Sequence, residues 1–382
     1  MKTWKNLSLI LLLALALAGC RNKSSNLTDF NRSVYTPGYA SGFDVKGADG
    51  RQSVLLTVTN PWQGAEGVET ALFIARDGEP APAGFEGQVL RDETRRVVCM
   101  SGSYIAMLDA LGAADRVVGV SGAQYLINET LRRRIARGEA ADGGFDSNVD
   151  FERLMALRPD LVMLFGIGGA DTALTGKLRE LGIPYLYMGE HCEESPLGKS
   201  EWVVVAAEIA GLRTEGSRLF AAIPERYERL RALAQQTAAR PRVMLNTPYR
   251  DTWFMPARNS YMVRLLEDAG ARYVFEENTA TQTLPIDIEQ AYYLTSKSDF
   301  WLNVSGCNTL DEVRRQNPRL ADTPPVREGR VYDNNRRRNA AGGSDFWESG
   351  VLRPDRVLAD LVHIFHPELS ETDELYYYRQ LE

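Results

Sequence analysis

Two runs near the start of the chain carry strand character. Ser53 to Thr59 is rich in β-branched residues and closes at Asn60-Pro61, and Thr70 to Ala75 closes at Arg76-Asp77-Gly78. Such runs bounded by turn residues predict a β-ribbon, with Gly78 to Gly87 as a connector behind it. Beyond about residue 95 the pattern changes, and short apolar runs alternate with segments of helix length. Strands are predicted over Val97–Met100, Val117–Val120, Leu161–Phe165 and Tyr185–Met188, then over Val243–Leu245, Phe300–Val304 and Val331–Tyr332. That alternation predicts parallel α/β sheets.

The second half echoes the first. Ser103-Tyr104-Ile105 leads through an apolar helix to Gly112-Ala113, as Ser260-Tyr261-Met262 leads to Gly270-Ala271. Asp150-Phe151-Glu152 precedes a helix and then Pro159-Asp160-Leu161, as Asp287-Ile288-Glu289 precedes one and then Ser298-Asp299-Phe300. Two echoes in the same order predict two lobes of like construction. Between them Leu219, Ile223, Tyr227, Leu230 and Ala234 share one helical face, with Gly211 to stop the preceding helix and Thr214 to cap this one. About 25 residues at ~1.5 Å each make a rod of ~37 Å, stiff enough to allow only modest opening, and Pro224 should kink it. The expected fold is α/β: two similar three-layer lobes joined by one long helix, a ligand cleft between them, and an N-terminal β-ribbon extension. The expected divisions are residues 1–19, a leader; 20–94, tether and extension; 95–212, first lobe; 213–240, linking helix; and 241–382, second lobe and tail.

Composition narrows the function. Of 382 residues, 44% are apolar and 25% charged, ordinary for a folded protein. With 44 Lys and Arg against 51 Asp and Glu the net charge is −7, unsuited to wrapping nucleic acid. Three histidines and four cysteines without a CxxC pair argue against a site built from many imidazoles or thiolates. Cys99, Cys192 and Cys307 allow one disulfide or three thiols. No GxxxxGK[ST], GxGxxG or GxSxG sequence is present. At the N-terminus Lys2 and Lys5 precede the apolar run Leu7 to Ala18, a secretory leader too short to span a bilayer comfortably. It closes at Leu17-Ala18-Gly19-Cys20, which looks like a bacterial lipobox with Cys20 as the lipidated residue.

Several passages are specific in their order and spacing: Arg96 to Ser101, Leu111 to Val120, Asp150 to Leu154 with Arg158 to Val162, Gly182-Ile183-Pro184, Thr323 to Tyr332, and Gly350 to Asp355. Through them the chain resembles the helical-backbone class of periplasmic solute-binding proteins, which serve ABC importers of ferric siderophores, haem and cobalamin. The stretch near residues 35–76 resembles an extension seen in Bacteroidetes members. The resemblance implies a lipid-anchored, monomeric periplasmic protein that makes and breaks no bond and needs no cofactor. Its implied partners are a metal chelate, an ABC permease and the cytoplasmic ATPase. It also implies that Glu152 and Glu289, matching the family's docking glutamates on the two lobes, meet arginines of the permease. The family often carries Pro after the serine matching Ser101; Gly102 departs from that.

Open α/β sheets bind ligands at loops following strand C-termini. In the first lobe those loops offer Ser103, Tyr104, Gln124, Tyr125, Gly168 and His191. In the second they offer Tyr249, Trp253, Arg336, Arg338 and Trp347. Aromatics beside arginines suit a large, flat, partly anionic ligand, while core tryptophans and a solvated arginine loop are the plainer alternative. His191 could complete an axial position on haem or cobalamin. Three rival functions remain. A bare-ion binder needs three or four converging His or carboxylate ligands, an anchored hydrolase needs Ser with His and Asp, and a scaffold lipoprotein needs no transporter.

Overall fold

The computed structural model describes residues 25–382 apart from 92–93, 146–147, 167–171, 250–251 and 371–372. The leader, Cys20 and Gly168 lie outside the described residues, and of Tyr249 only the backbone is described. Among the described residues no helix is long and apolar enough to cross a membrane.

The extension is a five-stranded sheet in the order β1 (Arg32–Tyr35), β2 (Phe43–Gly47), β3 (Val54–Thr59), β4 (Glu69–Ile74), β5 (Gln88–Leu90). β1 to β4 pair antiparallel, and the connector beyond Gly78 brings β5 in parallel to β4. In β3 buried and half-buried residues alternate strictly, the mark of a sheet with one face on a core. That face joins the first lobe's core through Val54, Leu56 and Val58.

The first lobe contains β6 (Val97–Cys99), β7 (Val117–Val120) and β8 (Ala141–Asp142), a small hairpin of β9 (Gly144–Phe145) with β10 (Asn148–Val149), then β11 (Leu161–Phe165) and β12 (Tyr185–Met188). Its parallel sheet runs β12-β11-β6-β7-β8. In the second lobe β13 (Arg242–Leu245), β14 (Pro248–Tyr249), β15 (Thr252–Met255), β16 (Arg272–Tyr273), β17 (Leu284–Ile286), β18 (Phe300–Leu302), β19 (Val331–Asp333) and β20 (Arg379–Gln380) form two sheets. The main one runs β16-β13-β18-β19-β20, parallel except for β20; the other is the antiparallel trio β14-β15-β17. Central strands such as β6 and β7 are buried at every position, hence their unbroken apolar sequences.

The linking helix Arg213–Ala234 continues through Pro224 without a break. It begins one residue before Thr214 and has no side-chain cap at Leu212, so Thr214 lies in the first turn. Ion pairs fasten it to both lobes: Arg213 with Glu208 at 2.7 Å, Arg226 with Asp355 at 2.7 Å, and Arg231 with Asp268 at 3.0 Å. The two Asp-Xaa-Glu echoes are both helix starts. Asp150 caps Phe151–Ala156 and Asp287 caps Ile288–Ser296, each side chain accepting an N–H three residues on. Glu152 and Glu289 therefore occupy equivalent, exposed second positions, where the helix dipole also favours an acid. Glu289 pairs with Arg319 at 3.2 Å on the surface.

Candidate functional site

A cleft of about 1260 Å³ opens between the lobes, larger than the ~300–1,000 Å³ usual for drug-sized ligands. It has three walls. The first lobe contributes Gly189 and His191 to Ser195. The second contributes residues after β13 and β18, the helix start at Ser260, Phe254 and Trp347. The third wall is the extension, through Tyr39, Ser41 and the loop Thr59 to Glu66.

Two buried glutamates explain why the extension sits there. Glu201 accepts the Tyr35 hydroxyl at 2.7 Å and the N–H groups of Gly38, Tyr39 and Ala40 at 2.8, 2.8 and 2.6 Å. Glu193 accepts the N–H of Ser41 at 3.0 Å and of Gly42 at 2.9 Å, with the Trp202 indole N–H at 2.9 Å. A carboxylate surrounded by donors tolerates burial because each lone pair finds a proton.

On the second lobe, Asn246 and Asn303 follow β13 and β18 in left-handed backbone (φ 65° and 60°), a region asparagine tolerates better than most residues. The Asn303 side chain accepts from Tyr378 at 3.0 Å and from Asn334 at 3.3 Å. Across the gap, Asn259 donates to Glu194 of the first lobe. The floor of the first wall is charged. Glu190 is buried, with Oε1 accepting from Ser103 at 3.0 Å; its Oε2 and His191 Nδ1 lie 3.9 Å apart, and neither has a hydrogen-bond partner among the described residues. Burial opposes charge on His191, but Cys192 and Glu190 outweigh it and raise the imidazole to about 9. The ring stacks on Phe165 at 4.2 Å, and Nε2 meets the Gly166 carbonyl at 3.1 Å. Burial lowers the pKa of Lys199, opposed by Glu190, Cys192 and Glu193, and its ammonium lies 4.3 Å over the Tyr261 ring of the second lobe.

Of the sequence-predicted contacts, His191 and Trp347 line this cleft, Trp347 standing 55% exposed. Ser103 lies one layer back, holding Glu190. Tyr104 is corrected to a core residue: fully buried, its hydroxyl reaches the Leu164 carbonyl. Trp253 is corrected likewise, stacking on Trp301 while its indole N–H bonds the Leu245 carbonyl at 2.9 Å. Strand parity is the reason: along β15 it is Phe254, one residue on, that points into the cleft. Gln124 and Tyr125 are exposed outside the cleft, at a seam where the lobes touch. Asn339 donates to the carbonyls of Gln124 and Leu126, and Gly343 lies so close to the Tyr125 carbonyl that a side chain there would collide with it. Arg336 and Arg338 are exposed outside the cleft too, and Arg336 pairs with Glu374 at 3.2 Å. In the same seam Glu348 accepts the N–H groups of Ile127 and Asn128, and burial pushes its carboxyl up to about 7. A Cβ at Gly102 would fall 2.7 Å from Glu348 Cγ, which explains the glycine where the family often has proline. Sequence reasoning missed the extension's residues and the asparagines at strand ends. The cleft is thus lined by amides, hydroxyls and scattered aromatics together with the acids Glu66, Glu193, Glu194 and Asp333, and beside His191 its one arginine or lysine among the described residues is Arg264.

A family model described as a periplasmic binding protein matches residues 97–336, well over half of the chain. The chain belongs to the periplasmic binding protein family. The shared two-lobed fold extends to a periplasmic heme binding protein from Pseudomonas aeruginosa, with a TM-score of 0.58 and 20% identity over 76% of this chain and 98% of that one. It extends equally to a structure described as an ABC-type Fe3+-hydroxamate transport system, from Saccharomonospora viridis, at TM-score 0.56 and 17% identity over 81% and 98%. An uncharacterized lipoprotein of Methanocaldococcus jannaschii, MJ0878, is 26% identical over 290 residues, 74% of this chain and 67% of that protein. Within this periplasmic binding protein, no three His, Cys, Asp or Glu side chains converge as a metal site among the described residues.

Proposed function

We propose that this periplasmic binding protein is the substrate-binding component of an ABC importer, anchored to the membrane by lipid on Cys20, which captures a metal chelate and delivers it to the permease without making or breaking a bond. The observation that carries the reading is the wide interlobe cleft lined by amides, hydroxyls and aromatic faces, with acids outnumbering cations among its charged groups. Such a lining suits a cargo that brings its own metal ligands and presents polar groups at its rim. Ferric siderophores, haem and cobalamin are the candidate cargoes, and a lining with Glu66, Glu193, Glu194 and Asp333 against Arg264 and His191 favours those with amide or hydroxamate rims over one with free carboxylates, which the acids would repel. Glu152 and Glu289, at equivalent positions on the two lobes, would set register on the permease through charge complementarity. Cells lacking the protein should lose uptake of one of these chelates. The wild-type chain should restore it, and the double variant Glu152→Ala, Glu289→Ala should not, while still binding cargo. Full uptake with the double variant would refute the docking role; undiminished uptake of all three without the protein would refute the function.

A further inference from the structure

The loop between β3 and β4 lines the cleft beside the first-lobe residues Gly189 and His191 to Ser195. Its base is closed by Asn60, left-handed at φ 48°, whose N–H reaches the Val68 carbonyl at 2.8 Å while its Oδ1 accepts the Val68 N–H at 3.0 Å. Pro61 lies over Gly166 and Gly189, the residues that follow β11 and β12. A Cβ at Gly189 would sit 3.5 Å from Pro61 Cα, and one at Gly166 would collide with the Pro61 carbonyl. Trp62 sets its ring edge-on to Tyr187 of β12, centroids 5.3 Å apart at 70°. The extension therefore packs over the ends of β11 and β12, two of the strand ends at which open α/β sheets present ligand loops. The loop tip reaches the second lobe as well: a Cβ built at Gly64 is 3.5 Å from the Gln282 amide nitrogen.

We infer that this loop reads the cargo alongside the first-lobe loop Gly189 to Ser195, with Trp62 offering a flat face and Gln63, beside the Gly64 that approaches Gln282, hydrogen-bonding the chelate's polar rim. The inference rests on the chelate reading above and names the element that sets its specificity. Gln63 and Gln282 both line the cleft, are exposed, and carry no hydrogen bond among the described residues, so their amides are free for a ligand. An amide both donates and accepts, which matches carboxamide and hydroxamate groups. The loop is also preorganised, because Glu193 and Glu201 fasten the sheet that carries it, and less ordering is then lost on binding. It is an addition to the common fold: the family model begins at Val97, and the Pseudomonas aeruginosa protein is covered over 98% of its length while matching 76% of this chain.

The test titrates the detergent-solubilised full chain with cyanocobalamin, haemin and ferrioxamine. Trp62→Ala should weaken the chelate that the wild type binds by about thirtyfold, and Trp62→Phe should recover most of the loss. Gln63→Ala, at an exposed position, should keep the wild-type melting temperature, weaken binding about fivefold and narrow the preference among the three probes. If the wild type binds a chelate and both alanine variants bind it within twofold of wild type, the loop does not read cargo and the chelate reading stands. If the wild type binds none of the three probes, the chelate reading falls and this inference falls with it.

Discussion

Replacing Glu201 by Ala should unfasten the extension from the first lobe. The carboxylate is 1% exposed and accepts four hydrogen bonds, three from consecutive backbone N–H groups of residues 38–40 and one from Tyr35. A hydrogen bond to a charged group contributes about 1.5–3 kcal/mol, and a buried donor left without a partner costs about 1–3 kcal/mol. These contributions overlap, because the same segment can relax toward water, so the net loss should be roughly 3–5 kcal/mol, the scale of breaking a buried charged contact. Read locally, that accelerates hydrogen exchange at Gly38, Tyr39 and Ala40 by at least on the order of a hundredfold. Glu201→Gln keeps the volume but turns an NH2 toward backbone donors, so it should fall between alanine and wild type. Exchange mass spectrometry on peptides spanning residues 35–47 makes the measurement, with the helix Pro354–Phe365 as an internal reference. Exchange at 38–40 within threefold of wild type in Glu201→Ala would refute the assignment of Glu201 as the fastener.

Three further outcomes are expected. Trp253→Ala should lose about 3–5 kcal/mol in denaturant unfolding as a core truncation, whereas Phe254→Ala should lose about 1 kcal/mol or less and instead weaken cargo binding; the reverse pattern would contradict the parity of β15. Gly343→Ala should cost about 1–3 kcal/mol and part the lobes at their seam, seen as a larger radius of gyration in X-ray scattering; an unchanged radius and stability would contradict the close approach to Tyr125. His191 is raised from 6.5 to about 9, so the stability it contributes, roughly 3 kcal/mol, is fully present below pH 6.5 and lost as pH rises through 9. Unfolding followed from pH 6 to 9.5 should show that decline in the wild type and a flatter profile in His191→Gln; parallel profiles would refute the charged histidine.

Most of the lobed architecture was legible because parallel strands bury both faces and advertise themselves as unbroken apolar runs; β7, β11 and β12 have the limits expected from sequence. The cleft was less so. His191 follows a strand end, a position that chain order reveals, but the choice between Trp253 and Phe254 turns on strand parity, which a short run bounded by Pro248 and Pro256 does not display. Arg336 and Arg338 looked like ligand contacts by type, yet loop direction, which composition does not encode, sends them to the surface. The extension's role rests on Glu193 and Glu201. In sequence they are ordinary acids near a helix, and only the folded chain shows backbone N–H groups more than 150 residues away converging on them.

The central claim is that the cleft holds one preassembled chelate. Native mass spectrometry of the mature chain with Cys20→Ser, against cyanocobalamin, haemin, ferrioxamine and free Fe, Zn and Mn ions, tests it most directly. The account predicts a one-to-one adduct with a single chelate and none with the bare ions. Adducts with bare ions alone, or none with any chelate, would contradict it.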